Sequence, residues 1–411
     1  MNVYLAVILA SLALSWLLGV LSNFLTTRAM TPEPPEEFAD IYDAGGYADS
    51  QAYAKANMRF SNVADTASTL VSFAVILLGG FNWLDVAMRS LGYSPLITGL
   101  LYIGTLSLAS YALSLPFEIY HTFVLENRFG FNKTTAGTFV ADRVKGLVLT
   151  ALLGGGLLAG VLFFFERTGD SAWLWCWGMA SLFSLGLTYV APTWILPLFN
   201  KFTPLEDGEL RTALENYAAG ADFELEGIFV MDGSKRSTKG NAFFTGFGRR
   251  KRIALFDTLI REQSPEEIRA VLAHEVGHSK RGHIRKRLLV GIVRTGAVFY
   301  LMSLFMDSPG LFAAFGMEQP SLYAGLVFFI LLYTPLSLVL SVAGNYVSRK
   351  HEFEADEFAA RTTGAPQAMV SALKKLSASN LSNLTPHPLT VWLDYSHPPV
   401  LARVRALNAL S

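Results

Sequence analysis

Ala273-His274-Glu275-Val276-Gly277-His278 sets two histidines four residues apart, with a glutamate directly after the first. On a helix such histidines share a face, so both imidazoles can reach one metal ion. The glutamate between them can act on a water that the ion polarises. The start signals favour a helix: Ser264 suits the N-cap, Pro265 the first helical position, and Glu267 completes a capping box. Ile268, Val271, Leu272 and Val276 then supply an apolar face. An ordinary helix with two packed or solvated histidines is the plain alternative.

A catalytic zinc takes three protein ligands and keeps one position open. His283 follows His278 by only five residues, and no longer histidine extension exists, so a remote carboxylate is the natural third ligand. Ser348-Arg349-Lys350-His351-Glu352-Phe353-Glu354-Ala355-Asp356 offers Glu352 and Asp356 on one helical face. Glu352 can ligate, while Asp356 can accept a hydrogen bond from the far nitrogen of a ligand histidine and fix its tautomer. Glu354 points to another face and is the weaker candidate. Taken alone, this stretch also reads as an acidic helix laced with salt bridges. The single cysteine, Cys176, excludes a cysteine-based zinc cluster and any intrachain disulfide.

The elements that must position these residues are unusual in composition. Of 411 residues, 52% are hydrophobic and 16% charged, against about 25% charged in a soluble domain. Lys and Arg total 33, as do Asp and Glu, so nothing suggests a nucleic-acid partner. Seven windows are long and apolar enough to be membrane-spanning helices: residues 1–27, 66–84, 90–117, 146–165, 171–200, 288–306 and 319–348. The first has no basic residue before its apolar run, which also exceeds a signal peptide's, and is read as an uncleaved span. Seven spans sort 30 of the 33 basic residues onto one side. Basic loops favour the cytosol, so the large loop and the tail are expected there, with the N-terminus outside. Arg294 is the one ionised side chain within a span; facing a protein-lined cavity and packing against a carbonyl are both open to it. The expected division is 1–200 for spans one to five, 201–287 for the first half of a cytosolic zinc domain, 288–348 for spans six and seven, and 349–411 for the second half. Neither half is a comfortable domain alone.

With these residues in place, the chain resembles the CAAX prenyl protease 1 family, integral-membrane zinc metalloendopeptidases of the gluzincin type. The likeness rests on the seven spans, His-Glu-Val-Gly-His at 274–278 and Ser-Arg-Lys-His-Glu-Phe-Glu-Ala-Asp at 348–356. It extends to Gly130-Phe131-Asn132, Ser234-Lys235-Arg236-Ser237, Asn241-Ala242-Phe243-Phe244, Lys251–Thr258 and Tyr395–Arg403. The resemblance implies a mainly α, polytopic membrane protein whose seven transmembrane helices enclose a chamber. An α+β zincin-like protease domain would be split by the helix 6–7 hairpin. It implies one Zn2+ per chain on His274, His278 and Glu352, with Glu275 as general base. His397 would stabilise the oxyanion, and Asn241 and Arg403 would contact substrate. The partners implied are the lipid bilayer and a peptide or protein substrate, a prenylated CaaX terminus in eukaryotic members. The chain's length suggests a bacterial member, in the cytoplasmic membrane; a eukaryotic one would lie in the endoplasmic reticulum membrane.

In this scheme zinc makes water nucleophilic near neutral pH, and Glu275 carries its proton to the leaving amine. Residues 241–247 could form an edge strand that pairs with an extended substrate, or equally a buried hairpin. A membrane quality-control protease with no prenyl requirement, or a catalytically idle zinc-containing scaffold or transporter, are the rival readings. His283 is taken as a helix-surface residue, His351, His121 and His387 as structural, and Cys176 as an apolar packer.

Overall fold

The computed structural model describes residues 2–245 and 251–410. Five long helices come first: α1 (Val3–Ala29), α2 (Ala44–Leu77), α3 (Pro95–Arg128), α4 (Ala136–Arg167) and α5 (Gly169–Phe199). A small mixed segment follows: β1 (Phe202–Pro204), α6 (Glu209–Gly220), β2 (Leu225–Met231), β3 (Ala242–Thr245), β4 (Lys251–Phe256) and α7 (Pro265–Lys280). Then come α8 (His283–Phe305), α9 (Leu322–Leu332), α10 (Thr334–Thr363), α11 (Pro366–Ser379), α12 (Pro388–Asp394) and α13 (Val400–Asn408). Among the described residues, α1 to α5 and α8 are each long and apolar enough to cross a bilayer. The pair α9–α10, bent by 51°, meets the same criterion when taken together and brings the number to seven if it is one broken span.

Several spans depart from the windows read in the sequence: α3 runs on to Arg128 and α4 begins at Ala136, and two others differ in kind. The helix expected over 66–84 instead begins at Ala44 and ends at Leu77, where Gly79 adopts φ 73° and a separate helix, Gly80–Arg89, starts. Loss of charge marks where lipid begins, not where hydrogen bonding begins. Asp43 caps the polar start of α2 by accepting from the Gly46 N–H. The seventh window breaks at Tyr333, just before Pro335. Proline lacks an N–H and disfavours helical geometry in the residue before it, so the two helices join at an angle.

The predicted side-sorting of loops has a structural counterpart. Phe38, Tyr42 and Tyr47, from the first loop and the start of α2, share one buried cluster with Met369, Val370 and Leu373 of α11 and with Val404 and Leu407 of α13. Lys133, after α3, donates its N–H to the Arg236 carbonyl at 3.0 Å, and Phe131 accepts from the Thr238 N–H at 3.1 Å. The first loop, the α3–α4 loop, the mixed segment and the tail therefore meet at one end of the helix bundle. Gly130-Phe131-Asn132, unexplained by sequence, is the clasp: Asn132 bridges Ser237, and Phe131 is buried beneath the Lys239 ammonium, 4.3 Å from its ring centre.

The sheet runs β1-β2-β4-β3, with β2 and β4 parallel and the other pairs antiparallel. One face, with Ile228, Ile253 and Leu255, packs on Ile268, Leu272 and Val276 of α7. Those are the residues expected on the buried face of that helix, although Val271 is only partly covered.

Phe38 is fully buried in the cluster that joins the first loop to the tail. Phe38→Ala is expected to lower stability by about 3–5 kcal/mol, read from the unfolding midpoint of the detergent-solubilised protein. An unchanged midpoint would separate the first loop from the tail's core.

Candidate metal centre

The centre is made where α7 crosses α10. The expected capping box is formed: Ser264 accepts from the Glu267 N–H, and Glu267 accepts from the Ser264 N–H. Gly277 lies at the crossing. A Cβ there would stand 3.2 Å from the Cα and carbonyl oxygen of Ala355 and from the Phe358 Cβ. A glycine on one helix and an alanine on the other thus let the backbones approach closely enough for Glu352 to reach the α7 histidines.

His274 and His278 bring their Nε2 atoms within 3.2 Å of each other. Glu352 Oε2 is 3.4 Å from His274 Nε2, and its Oε1 is 3.3 Å from His278 Nε2. One ligand atom from each residue lies within 4.8 Å of the others. Two imidazoles and a carboxylate at this separation suit zinc, with room for a further ligand. The surroundings favour positive charge there. Burial resists protonation of His274, but hydrogen bonds to Asp356 and Glu352 outweigh it and raise its pKa to about 9.

Asp356 lies as expected, 2.8 Å from His274 Nδ1. Behind it sits Arg403, which donates from Nε and Nη2 to the two Asp356 oxygens at 2.8 and 2.7 Å. Arg403 Nη1 is also 3.7 Å from Glu352 Oε2. The described contacts of Arg403 are thus with Asp356, Glu352 and His274. It is buried, and its fork is taken by Asp356. Burial works against its charge, but Asp356 more than compensates and raises its pKa.

His397 also reaches the centre, its Nε2 3.5 Å from Glu352 Oε1. Desolvation lowers its pKa, against the pull of the Glu352 carboxylate, although 65% of the side chain is exposed. Its loop is tied to α10, since Arg349 Nη1 donates to the carbonyls of Val391 and Tyr395 at 2.8 and 2.6 Å. His397 also lines a cleft of about 430 Å³ with Tyr53, Asn57, Asn383 and Tyr395. Glu275 is partly exposed between the two histidines.

β3 is an edge strand among the described residues, paired with β4 alone. Both readings hold in part: β3 pairs antiparallel with β4, the next strand, and Ala242 and Phe244 pack on the core beneath the sheet, while Gly246 and Phe247 lie outside the described residues. Asn241 is exposed, and its side chain accepts from the Ala242 N–H at 2.8 Å. Asn380 fixes the strand's start, accepting from the Gly240 N–H at 3.2 Å and donating to the Gly240 carbonyl at 3.3 Å.

His283 and Glu354 were underrated. His283 is buried rather than on a helix surface, with Nδ1 3.0 Å from His278 Nδ1 and Nε2 3.0 Å from Glu354 Oε2. The signal was Gly282, whose φ of 70° breaks the helix and turns the next residue back toward α7. Arg294 is exposed, has no partner among the described residues, and shares a face of α8 with His283 by helical spacing. His121 bonds Asn57, and His387 caps α12.

Comparison with known proteins defines the class. Residues 23–201 match the model described as CAAX prenyl protease N-terminal, five membrane helices, and residues 204–411 match Peptidase family M48. The chain is an integral, multi-pass membrane protein and a metalloprotease that belongs to family M48. Its relatives are narrower than that. It is 34% identical to the CAAX prenyl protease 1 homolog of Arabidopsis thaliana, covering 95% of this chain and 94% of that one. It is 32% identical to the Homo sapiens homolog, covering 98% and 95%. The crystal structure of S. mikatae Ste24p superposes with a TM-score of 0.94 at 31% identity, over 99% of this chain and 100% of that chain. These eukaryotic proteins are matched almost end to end, so length is no guide to source.

Arg403→Leu leaves the buried Asp356 carboxylate with His274 but without its charged partner, which costs about 3–5 kcal/mol. The variant is expected to melt earlier and to hold less metal, both measurable on purified protein. Full metal content and stability with weakened peptide binding would return Arg403 to a substrate role.

Proposed function

We propose that this chain cleaves a peptide bond near the C-terminus of membrane-associated, prenylated CAAX-type substrates, the class named by its relatives. The observation that supports this best is the convergence of His274, His278 and Glu352 beside Glu275 and His397, at the rim of the helix bundle. One zinc ion on those three ligands would supply Lewis-acid polarisation of water and of the scissile carbonyl. Glu275 takes the proton of the attacking water and delivers it to the leaving amine. His397 donates its N–H to the carbonyl oxygen as negative charge develops. The outer edge of β3 pairs with the extended substrate, Asn241 marking the start of that edge. Asp356 accepts from His274 Nδ1 and, braced by Arg403, keeps Nε2 of that ring free for the ion.

In this reading residues 201–287 and 349–411 are two halves of one protease domain, and residues 1–200 and 288–348 are the membrane part, its spans walling a chamber. The clustering of 30 of 33 basic residues on the loops that meet at the metal end supports a cytosolic site and an external N-terminus. A bacterial cytoplasmic membrane and an endoplasmic reticulum membrane both present such a face.

Glu275→Gln is expected to keep its zinc and lose at least about 100-fold in cleavage rate, the scale of a lost general base. Retained turnover would remove Glu275 as the base. A farnesylated peptide should be cut at least tenfold more efficiently than its unlipidated twin, equivalent to about 1.4 kcal/mol, and a chelator should stop both reactions. Equal rates on the two peptides would favour a quality-control protease.

A further inference from the structure

We propose that His283, backed by Glu354, is a positioning residue for His278. It would select the tautomer and ring orientation in which His278 offers Nε2 to the metal. The inference rests on the metalloprotease reading and adds to it a support for the second histidine.

The two ligand histidines are held differently. His274 has a carboxylate directly on Nδ1, at 2.8 Å from Asp356. His278 has no carboxylate on Nδ1 among the described residues; its partner there is the Nδ1 of His283, at 3.0 Å. Two imidazole nitrogens bond only if one carries a proton and the other a lone pair. The far side of His283 decides which. Its Nε2 lies 3.0 Å from Glu354 Oε2, and a carboxylate only accepts, so Nε2 carries the proton. In the neutral ring His283 Nδ1 then presents a lone pair. His278 Nδ1 must donate to it, which leaves the lone pair of His278 on Nε2, the atom facing Glu352 and His274. The order Glu354, His283, His278 thus sets both tautomers without ambiguity.

The packing suits that task. His283 is 1% exposed, so water does not compete for its nitrogens. Its ring stacks on His351 with centroids 4.0 Å apart and planes 12° apart, which fixes its rotation. It is the first residue of α8, placed there by the left-handed Gly282, while Glu354 and His351 come from α10 and His278 from α7. Three helices therefore meet in this one relay.

Zinc affinity, measured by competition with a chelator on the full-length detergent-solubilised protein, tests the assignment. His283→Phe keeps a stacked ring but offers no acceptor. His283→Asn is smaller but puts a carbonyl oxygen near the position of Nδ1. Phe is expected to weaken zinc binding about 10–100-fold, the range seen when the outer partner of a ligand histidine is lost. Asn is expected to bind zinc more tightly than Phe. A purely structural residue would give the reverse order, because Phe fills the space better, and that order would overturn the proposal. Glu354→Ala, at a partly exposed position, should weaken zinc binding severalfold even if the Phe variant fails to fold, and an unchanged affinity would equally overturn it. A wild-type chain that binds no zinc would remove the metalloprotease reading itself. Normal wild-type affinity with unaffected variants would remove only the role of His283 and Glu354.

Discussion

The structure depends on one close helix crossing. α7 brings two imidazoles and α10 brings a carboxylate, and neither helix can hold a metal ion alone. They meet because Gly277 has no side chain where Ala355 and Phe358 press against it. The crossing holds its geometry because both helices are anchored elsewhere. α7 lies on the sheet through Ile268, Leu272 and Val276. α10 is covered by α11 and α13, whose Met369, Val370 and Val404 share a core with Ala360.

Charge is the second constraint. Glu352 and Asp356 are both buried, four residues apart on one helix. Two carboxylates so placed repel each other and lose hydration, a cost of several kcal/mol per ion in the absence of partners. Arg403 offsets much of this by binding both Asp356 oxygens and lying 3.7 Å from Glu352. The tail after α12 is thus part of the metal centre twice over, through Arg403 on Asp356 and His397 beside Glu352. The same division holds for the histidines, with one carboxylate behind His274 and another, one ring further away, behind His278.

Sequence alone revealed much of this. Spacing four residues apart found His274, His278, Glu352 and Asp356, because a helix converts such a spacing directly into a shared face. Apolar windows found the membrane crossings for a similar reason, since lipid forces a continuous run. Helix boundaries were less legible. α2 begins some twenty residues before its apolar window, where capping by Asp43 and packing against the tail, rather than hydropathy, decide. His283 was misread, and the carboxylate partner of Arg403 was not seen, because the partners of both are distant in the chain. Asp356 lies 47 positions before Arg403, and Glu354 lies 71 positions after His283. No local pattern reports such pairs. Gly282, the residue that turns His283 inward, looks from sequence like any helix-breaking glycine.

Beyond its bend at Tyr333, α10 continues without interruption from Thr334 to Thr363 and carries Glu352 eighteen residues along. At 1.5 Å per residue that arm is about 27 Å long, and a tilt of only about 5° would sweep its far end by about 2 Å. Spans tilt to match the thickness of the bilayer around them. Lipid composition therefore has a mechanical route to the carboxylate, and the seam at Gly277 is the brace that resists this leverage.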